Sequence, residues 1–311
     1  TPPTAGPQGS ISTRFDFASR SYTFELFEKE SRAGAVPFEE TDQLLLNALA
    51  RQVHASLENL DLLQQALERE RIEQELSVAA TIQQKIIPAA LPTILGYDIA
   101  GKNIPTKEVG GDYYDCIPLP NGTYCLVVAD VSGKGVPAAL LVSSLHAYLS
   151  AYLEGSLTLP LLAGKLNSAI YRASTSDRFI TAFLGLLTPT SGAIECVNAG
   201  HNPGYILRKE GTVQDLKRGG LPLGVIDMGI PYESELITLE RGERLLVYSD
   251  GVTEAENEQH KLYEEFFPLP EFLQHHPEPG AESFIAALMA DVRSFTGRAP
   301  QNDDITALVL S

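Results

Sequence analysis

Apolar residues recur in steps of three and four at Leu46, Leu49, Val53, Leu57, Leu60, Leu63 and Leu67, a spacing that lines one face of a helix and, sustained this long, makes a coiled-coil-like seam. Thr41 is placed to cap this helix, and Asp42 suits the positive end of its dipole. The rhythm breaks in the charged run ERERIEQE and resumes at Ile72, Leu76 and Ala79, so the seam rotates or loosens there. Pro88 and Pro92 end it, which predicts a helical linker over 41–88. A helix with one apolar face needs a partner for it, so the seam favours a homodimer through this N-terminal helix over a solvated spacer. Ahead of it, 1–21 is rich in Pro, Gly, Ser and Thr and is expected to be poorly ordered at its start. YTFELFE at 22–28 alternates as a strand, and SRAGAVP reads as a turn.

Beyond Leu95 the period changes. In YCLVVADVSGKG (124–135), Leu126, Val127, Val128 and Ala129 form a short apolar run that reads as a strand buried on both faces. It stops at Asp130, after which Gly133 and Gly135 allow a sharp turn and Pro137 opens an apolar helix. A second amphipathic helix follows in LPLLAGKLNSAIYRAS, and a late one in ESFIAALMADVRSFTG. YDIAGKNIP, GGDYYDCIPL, FITAFLGLLTP, AIECVNAGHN, YILRKEG, TVQDLKRGG, ERLLVYSDGVTE and DDITALVLS read as strands. Strands follow one another more often than they alternate with helices, which predicts an α+β fold of antiparallel sheets with helices layered outside.

Charge narrows the partners. A formal net charge of -17 argues against nucleic acid or an anionic membrane, both of which select a basic surface. Cys116, Cys125 and Cys196 lie in or beside apolar segments without zinc-type spacing, the pattern of reduced packing residues in a cytoplasmic protein. No apolar run is expected to approach the roughly 18 residues of a membrane helix, and no signal peptide is visible. The chain starts at Thr1 rather than at a methionine, as expected of a fragment of a longer protein.

The chemistry lies in four aspartates. Asp130 and Asp250 each end an apolar strand, Asp303 precedes one, and Asp112 follows the pair Gly110-Gly111. Any single Asp-Gly is an ordinary turn. Together, oxygen ligands without His or Cys suit hard divalent ions such as magnesium or manganese. His201 in NAGHNP reads as a turn histidine satisfied by backbone, and Lys134 as either a phosphate contact or a solvent-facing turn residue.

KIIPAALP, VGGDYYD, VADVSGKGVPAALL, FITAFLGLL, NAGHNPGYIL, GLPLGV, LLVYSDGVTEA and NDDIT occur in this order, and the combination resembles the bacterial SpoIIE/RsbU-type phosphatases of the metal-dependent serine/threonine protein phosphatase (PPM) family. The resemblance implies an α-β-β-α sandwich, two antiparallel sheets flanked by helices, over 89–311. Two divalent cations, Mn2+ or Mg2+, would lie in its cleft, activating water for in-line attack on a phosphoserine or phosphothreonine. Carried over by position, Asp130 would bridge both ions and the Val131 carbonyl would bind one. Asp250 and Asp303 would hold the second ion, and Asp112 the first, directly or through water. The pair Asp303 and Asp304 leaves a one-residue ambiguity, and NEQHKLYEEFFPLPEFL after Glu256 departs from the family pattern. Residues 1–40 with the start of the helix resemble the tail of a GAF sensory domain. The substrate implied is a phosphorylated anti-sigma-factor antagonist, with regulation through the helical dimer. The rival readings are a catalytically silent phosphoprotein-binding module of the same fold and a two-metal nuclease, the latter disfavoured by the acidic charge.

Overall fold

A computed structural model describes residues 9–32, 34–155, 157–175, 177–276 and 280–311. The expectation for the first residues of the chain therefore lies outside the described residues. The chain forms two compact units, Thr1–Glu75 and Leu76–Ser311.

In the first unit, β1 (Ser10–Phe17) and β2 (Arg20–Phe27) pair as an antiparallel hairpin. Ala18 and Ser19 form its turn with φ of 48° and 62°, the left-handed geometry that matches strand twist. Strand β1 escaped the sequence reading because its turn lacks the usual Asn or Gly, and its Ser and Thr positions look like linker. The segment read as a plain turn contains a short ladder, β3 (Lys29–Ser31) with β4 (Gly34–Val36). Helix α1 (Glu40–Gln83) follows. Thr41 does not cap it. Glu39 is the first residue outside, and its N–H donates to Asp42 Oδ2 at 2.7 Å, the reach-back half of a capping box. Lys29 Nζ pairs with the same oxygen at 2.6 Å. Along the helix Leu46 and Ala50 are buried, whereas Leu49, Leu60, Leu63 and Leu67 are exposed.

The second unit begins within α1, which ends at Gln83 rather than at Pro88. The Gln83 amide turns inward, donating to the Gly110 carbonyl at 2.6 Å and accepting the Gly110 N–H at 3.0 Å. Thereafter come β5 (Ile99–Ile104), β6 (Asp112–Pro118), β7 (Tyr124–Val131), α2 (Val136–Leu153), α3 (Leu159–Ala173), β8 (Ile180–Thr188) and β9 (Ala193–Ala199). The chain continues through β10 (Gly204–Leu207), β11 (Val213–Leu216), β12 (Gly219–Gly220), β13 (Glu235–Thr238), β14 (Arg244–Tyr248), α4 (Asp250–Thr253), α5 (Leu269–His275), α6 (Ala281–Thr296) and β15 (Ile305–Leu310).

Two sheets result, ordered β11-β10-β14-β15-β5 and β12-β9-β8-β7-β6, with β13 also on β9. Every pairing is antiparallel except β12 with β9. Alternate residues of β7 explain the layering. Cys125, Val127 and Ala129 face α2 and α3, while Leu126 and Val128 meet Leu245 and Val247 of β14 and Leu308 of β15 between the sheets. On the far side Leu246, Tyr248, Ala307 and Val309 pack under Phe284, Ile285 and Leu288 of α6. The expected α-β-β-α sandwich is thus built from period-two patterning with both faces apolar.

One expectation needs correction. Helix α2 has 18 residues and is apolar enough to cross a membrane by length and composition. Its Ala138, Leu141, Val142, Leu145 and Leu149 are buried in the cluster over β7 and β8, while Val136 and Leu140 are exposed. Strand β13 and helix α5 had no counterpart in the sequence reading.

Candidate active site

The β6–β7 register sets the deepest part of the site. Asp112 opens β6, Asp130 nearly ends β7, and the ladder places the two directly opposite each other. Asp112 is 2% exposed. Burial first, and then the facing Asp130, hold its carboxyl well above the usual carboxylate range. Its Oδ2 is buried without a hydrogen-bond partner, an arrangement that costs free energy unless a cation or proton meets it. Asp130 is pushed up to about 7 by burial, and after that by Asp250 and Asp303. Val131 follows it, and its N–H donates to the Gly111 carbonyl at 3.2 Å.

Asp250 and Asp303 arrive from the other sheet. Asp250 is the first residue of α4, immediately beyond β14, and its carboxyl is raised by burial and by the neighbouring Asp303. Asp303 precedes β15, with its side chain 41% exposed, and pairs with Lys134 Nζ at 2.9 Å. Lys134, exposed at the turn, also donates to the Asn302 carbonyl, so its ammonium is held at the Asp303 segment. Asp304 is buried and accepts the N–H groups of Thr106 at 2.6 Å and Gly111 at 2.7 Å. Of the ambiguous pair, therefore, Asp303 points outward with the acidic group and Asp304 fastens the Asp112 turn. A Cβ at Gly251 would overlap the Asp304 carbonyl; only glycine lets the Asp250 turn close against the Asp303 segment.

The structure brings all four predicted aspartates into one mutually repelling set. Among the described residues no three His, Cys, Asp or Glu side chains are grouped closely enough to form a finished coordination sphere. The donor chemistry still fits hard divalent cations: the groups are all oxygens, one buried oxygen has no partner, and repulsion between carboxylates is relieved by positive charge.

Residues that sequence reasoning passed over shape the surroundings of Asp130 and the turn after it. Arg178 Nη1 donates to the Ser132 carbonyl at 2.6 Å. Ser132 exchanges hydrogen bonds with Phe179, its N–H to the Phe179 carbonyl and its Oγ from the Phe179 N–H, both at 2.9 Å. Gly133 has φ 86°, and a Cβ there would collide with the Arg178 guanidinium. Thr181 sits opposite Asp130 in the β7–β8 ladder, and its hydroxyl meets His201 Nδ1 at 2.9 Å. His201 is thus held on its Nδ1 side by a side chain, its backbone N–H donates to Asn198 Oδ1 at 2.7 Å, and its Nε2 is buried without a hydrogen-bond partner. Burial lowers its pKa to about 4, so it stays neutral.

Comparison with known proteins agrees with this arrangement. The family model described as Stage II sporulation protein E (SpoIIE) matches residues 120–311. Phosphoserine phosphatase RsbU of Bacillus subtilis (strain 168) is 28% identical over 243 residues, which cover 78% of this chain and 71% of that protein. Among solved structures, the SiaA-PP2C domain of Pseudomonas aeruginosa aligns with TM-score 0.65 and 25% identity over 78% of this chain and 97% of its own. The RsbU and RsbW domains of a Mycobacterium tuberculosis protein align with TM-score 0.57 and 26% identity over 73% and 62%. The sandwich, the aspartates at its strand ends and a family match over most of the second unit lead to one conclusion: the chain belongs to the SpoIIE family and carries its PP2C-type serine/threonine phosphatase domain.

Proposed function

We propose that this phosphatase acts on a phosphorylated anti-sigma-factor antagonist. In this reading two divalent cations, Mn2+ or Mg2+, are held by Asp112, Asp130, the Val131 carbonyl, Asp250 and Asp303. The observation that carries it is the Asp112–Asp130 pair, opposed by register, with one buried carboxylate oxygen left without a partner. When bound, such cations neutralise phosphoryl charge and lower the pKa of water.

The chain's own residues supply position and exclusion. The β6–β7 ladder fixes Asp112 and Asp130, Asp304 ties the Asp112 turn to β15, and Arg178 pins the turn that carries Val131. A cysteine nucleophile is disfavoured, because all three thiols are buried and burial pushes Cys116 and Cys125 up to about 12. The substrate class draws support from RsbU, named a phosphoserine phosphatase, and from the solved RsbU and RsbW domains. The test is loss of phosphate from a purified phosphorylated antagonist with Mn2+. An antagonist left untouched by enzyme that hydrolyses p-nitrophenyl phosphate removes this substrate.

The same reading assigns 1–40 to the remnant of a GAF-like sensor, 41–88 to a dimerising linker and 89–311 to the phosphatase, in a cytoplasmic protein. The exposed Leu49, Leu60, Leu63 and Leu67 of α1 support a homodimer, since a bare leucine seam is stabilised by a second copy. Leu60→Glu is expected to give a monomer with altered turnover or Mn2+ affinity; a confirmed monomer with unchanged kinetics removes the regulatory role.

A further inference from the structure

Helix α6 buries Phe284, Ile285, Leu288 and Val292 against its sheet, but its side face carries Ala286, Met289, Ala290 and Arg293. Alanines four residues apart share one face and leave space above it. The result is a cavity of about 660 Å³ between α6, β5 and the Asn302–Asp303 turn, within the roughly 300–1,000 Å³ typical of ligand clefts. Asp303, Gly251 and Glu254 line the end next to the aspartate cluster. Lys102 and Arg293 also line it; both are exposed and have no ion-pair partner among the described residues. In the β5–β15 ladder Ile104 faces Ile305 and Lys102 faces Ala307, so Lys102 lies about four residues of extended chain from the level of Asp303.

We propose that this cavity is a docking pocket for the segment flanking the phosphoserine of the substrate protein, and that it selects an apolar residue followed by carboxylates; the identity of the phosphorylated occupant rests on the phosphatase reading. Charge complementarity carries the choice. In a chain of net charge -17, unpaired cations beside an apolar floor attract an acidic segment to the Lys102 and Arg293 side, whereas the end carrying Asp303 and Glu254 repels one. The phosphoryl group goes to the aspartate cluster with its cations, and the flanking acidic residues extend toward Lys102 and Arg293.

The test uses two fluorescein-labelled phosphoserine peptides, one with a leucine–glutamate–glutamate flank and one with alanine–lysine–lysine, each flank placed before and after the phosphoserine in turn. The full chain with Mn2+ is expected to favour the acidic peptide at least tenfold in KM, with kcat alike for both. The doubly reversed K102E/R293E is expected to lose that preference and favour the lysine peptide. Binding of the same peptides read by fluorescence anisotropy reports on the pocket even without turnover, while p-nitrophenyl phosphate hydrolysis by the unmodified chain reports separately on the phosphatase reading. Equal affinity of the unmodified chain for both peptides, or an unchanged preference in K102E/R293E, overturns the proposal.

Discussion

The two halves of the aspartate cluster are built differently. Asp112 and Asp130 stand on adjacent strands, buried and fixed by a ladder that runs the length of β6. Asp250 and Asp303 stand on a short helix and a turn, and Asp303 is half-exposed and bridged to Lys134. The first pair is placed by sheet register and strained by burial; the second is placed by turn chemistry, with Asp250 still raised by burial and Asp303 relieved by a cation of the chain itself. The first half therefore works against stability most strongly, while in the second the strain falls on Asp250 and Asp303 is compensated by Lys134.

Substitutions should separate the halves. Asp130→Asn is expected to cut p-nitrophenyl phosphate turnover by at least about 100-fold, as even residues that only support a metal are worth 10–100-fold. It should also raise the thermal midpoint by a few degrees, because a repelled, buried carboxylate is removed. Asp303→Asn should lower turnover without that gain; an equal rise in melting temperature would erase the distinction. Asp304→Ala, which strips the acceptor from the Thr106 and Gly111 N–H groups, is expected to cost about 2–4 kcal/mol in denaturant unfolding.

The difference in pH-dependent stability between the parent chain and a His201 variant isolates His201, behind the buried half, since the raised Asp112 and Asp130 are common to both. The His201 pKa of about 4 lies below the ordinary value of 6.5, so the unfolded chain binds the extra proton. The His201 contribution is full above about 6.5 and falls as pH drops toward 4, by up to about 3 kcal/mol, against an opposite slope from Asp130, whose carboxyl is raised to about 7. His201→Asn should remove that contribution from a urea-unfolding pH series. The smallest effect belongs to the exposed half. Lys134→Ala removes an ammonium that shares Asp303, and should tighten Mn2+ by no more than about fivefold in calorimetry, the scale of a half-exposed ion pair.

The sandwich and its aspartates were legible because Asp130 and Asp250 end apolar runs, Asp303 precedes one and Asp112 follows a glycine pair, a conflict that local patterning displays. The residues supporting them were not. Arg178 acts through the Ser132 carbonyl, Gln83 through the Gly110 backbone and Thr181 through its place opposite Asp130. Each depends on a contact between distant parts of the chain, which no spacing encodes. The helix end followed the same logic: the inward bond of Gln83 stops α1 before the prolines do. Helix α2 shows the reverse, since apolar composition alone does not distinguish a core helix from a membrane helix.

The central claim is that the four aspartates form one site for divalent cations serving phosphoryl transfer. The most direct measurement is p-nitrophenyl phosphate hydrolysis as a function of Mn2+ concentration, with the chain run beside Asp250→Asn. The account predicts hydrolysis that requires the ion, saturates with it, and is lost or shifted to much higher Mn2+ in the variant. Hydrolysis that is indifferent to Mn2+ and chelator, or unchanged in Asp250→Asn, would contradict it.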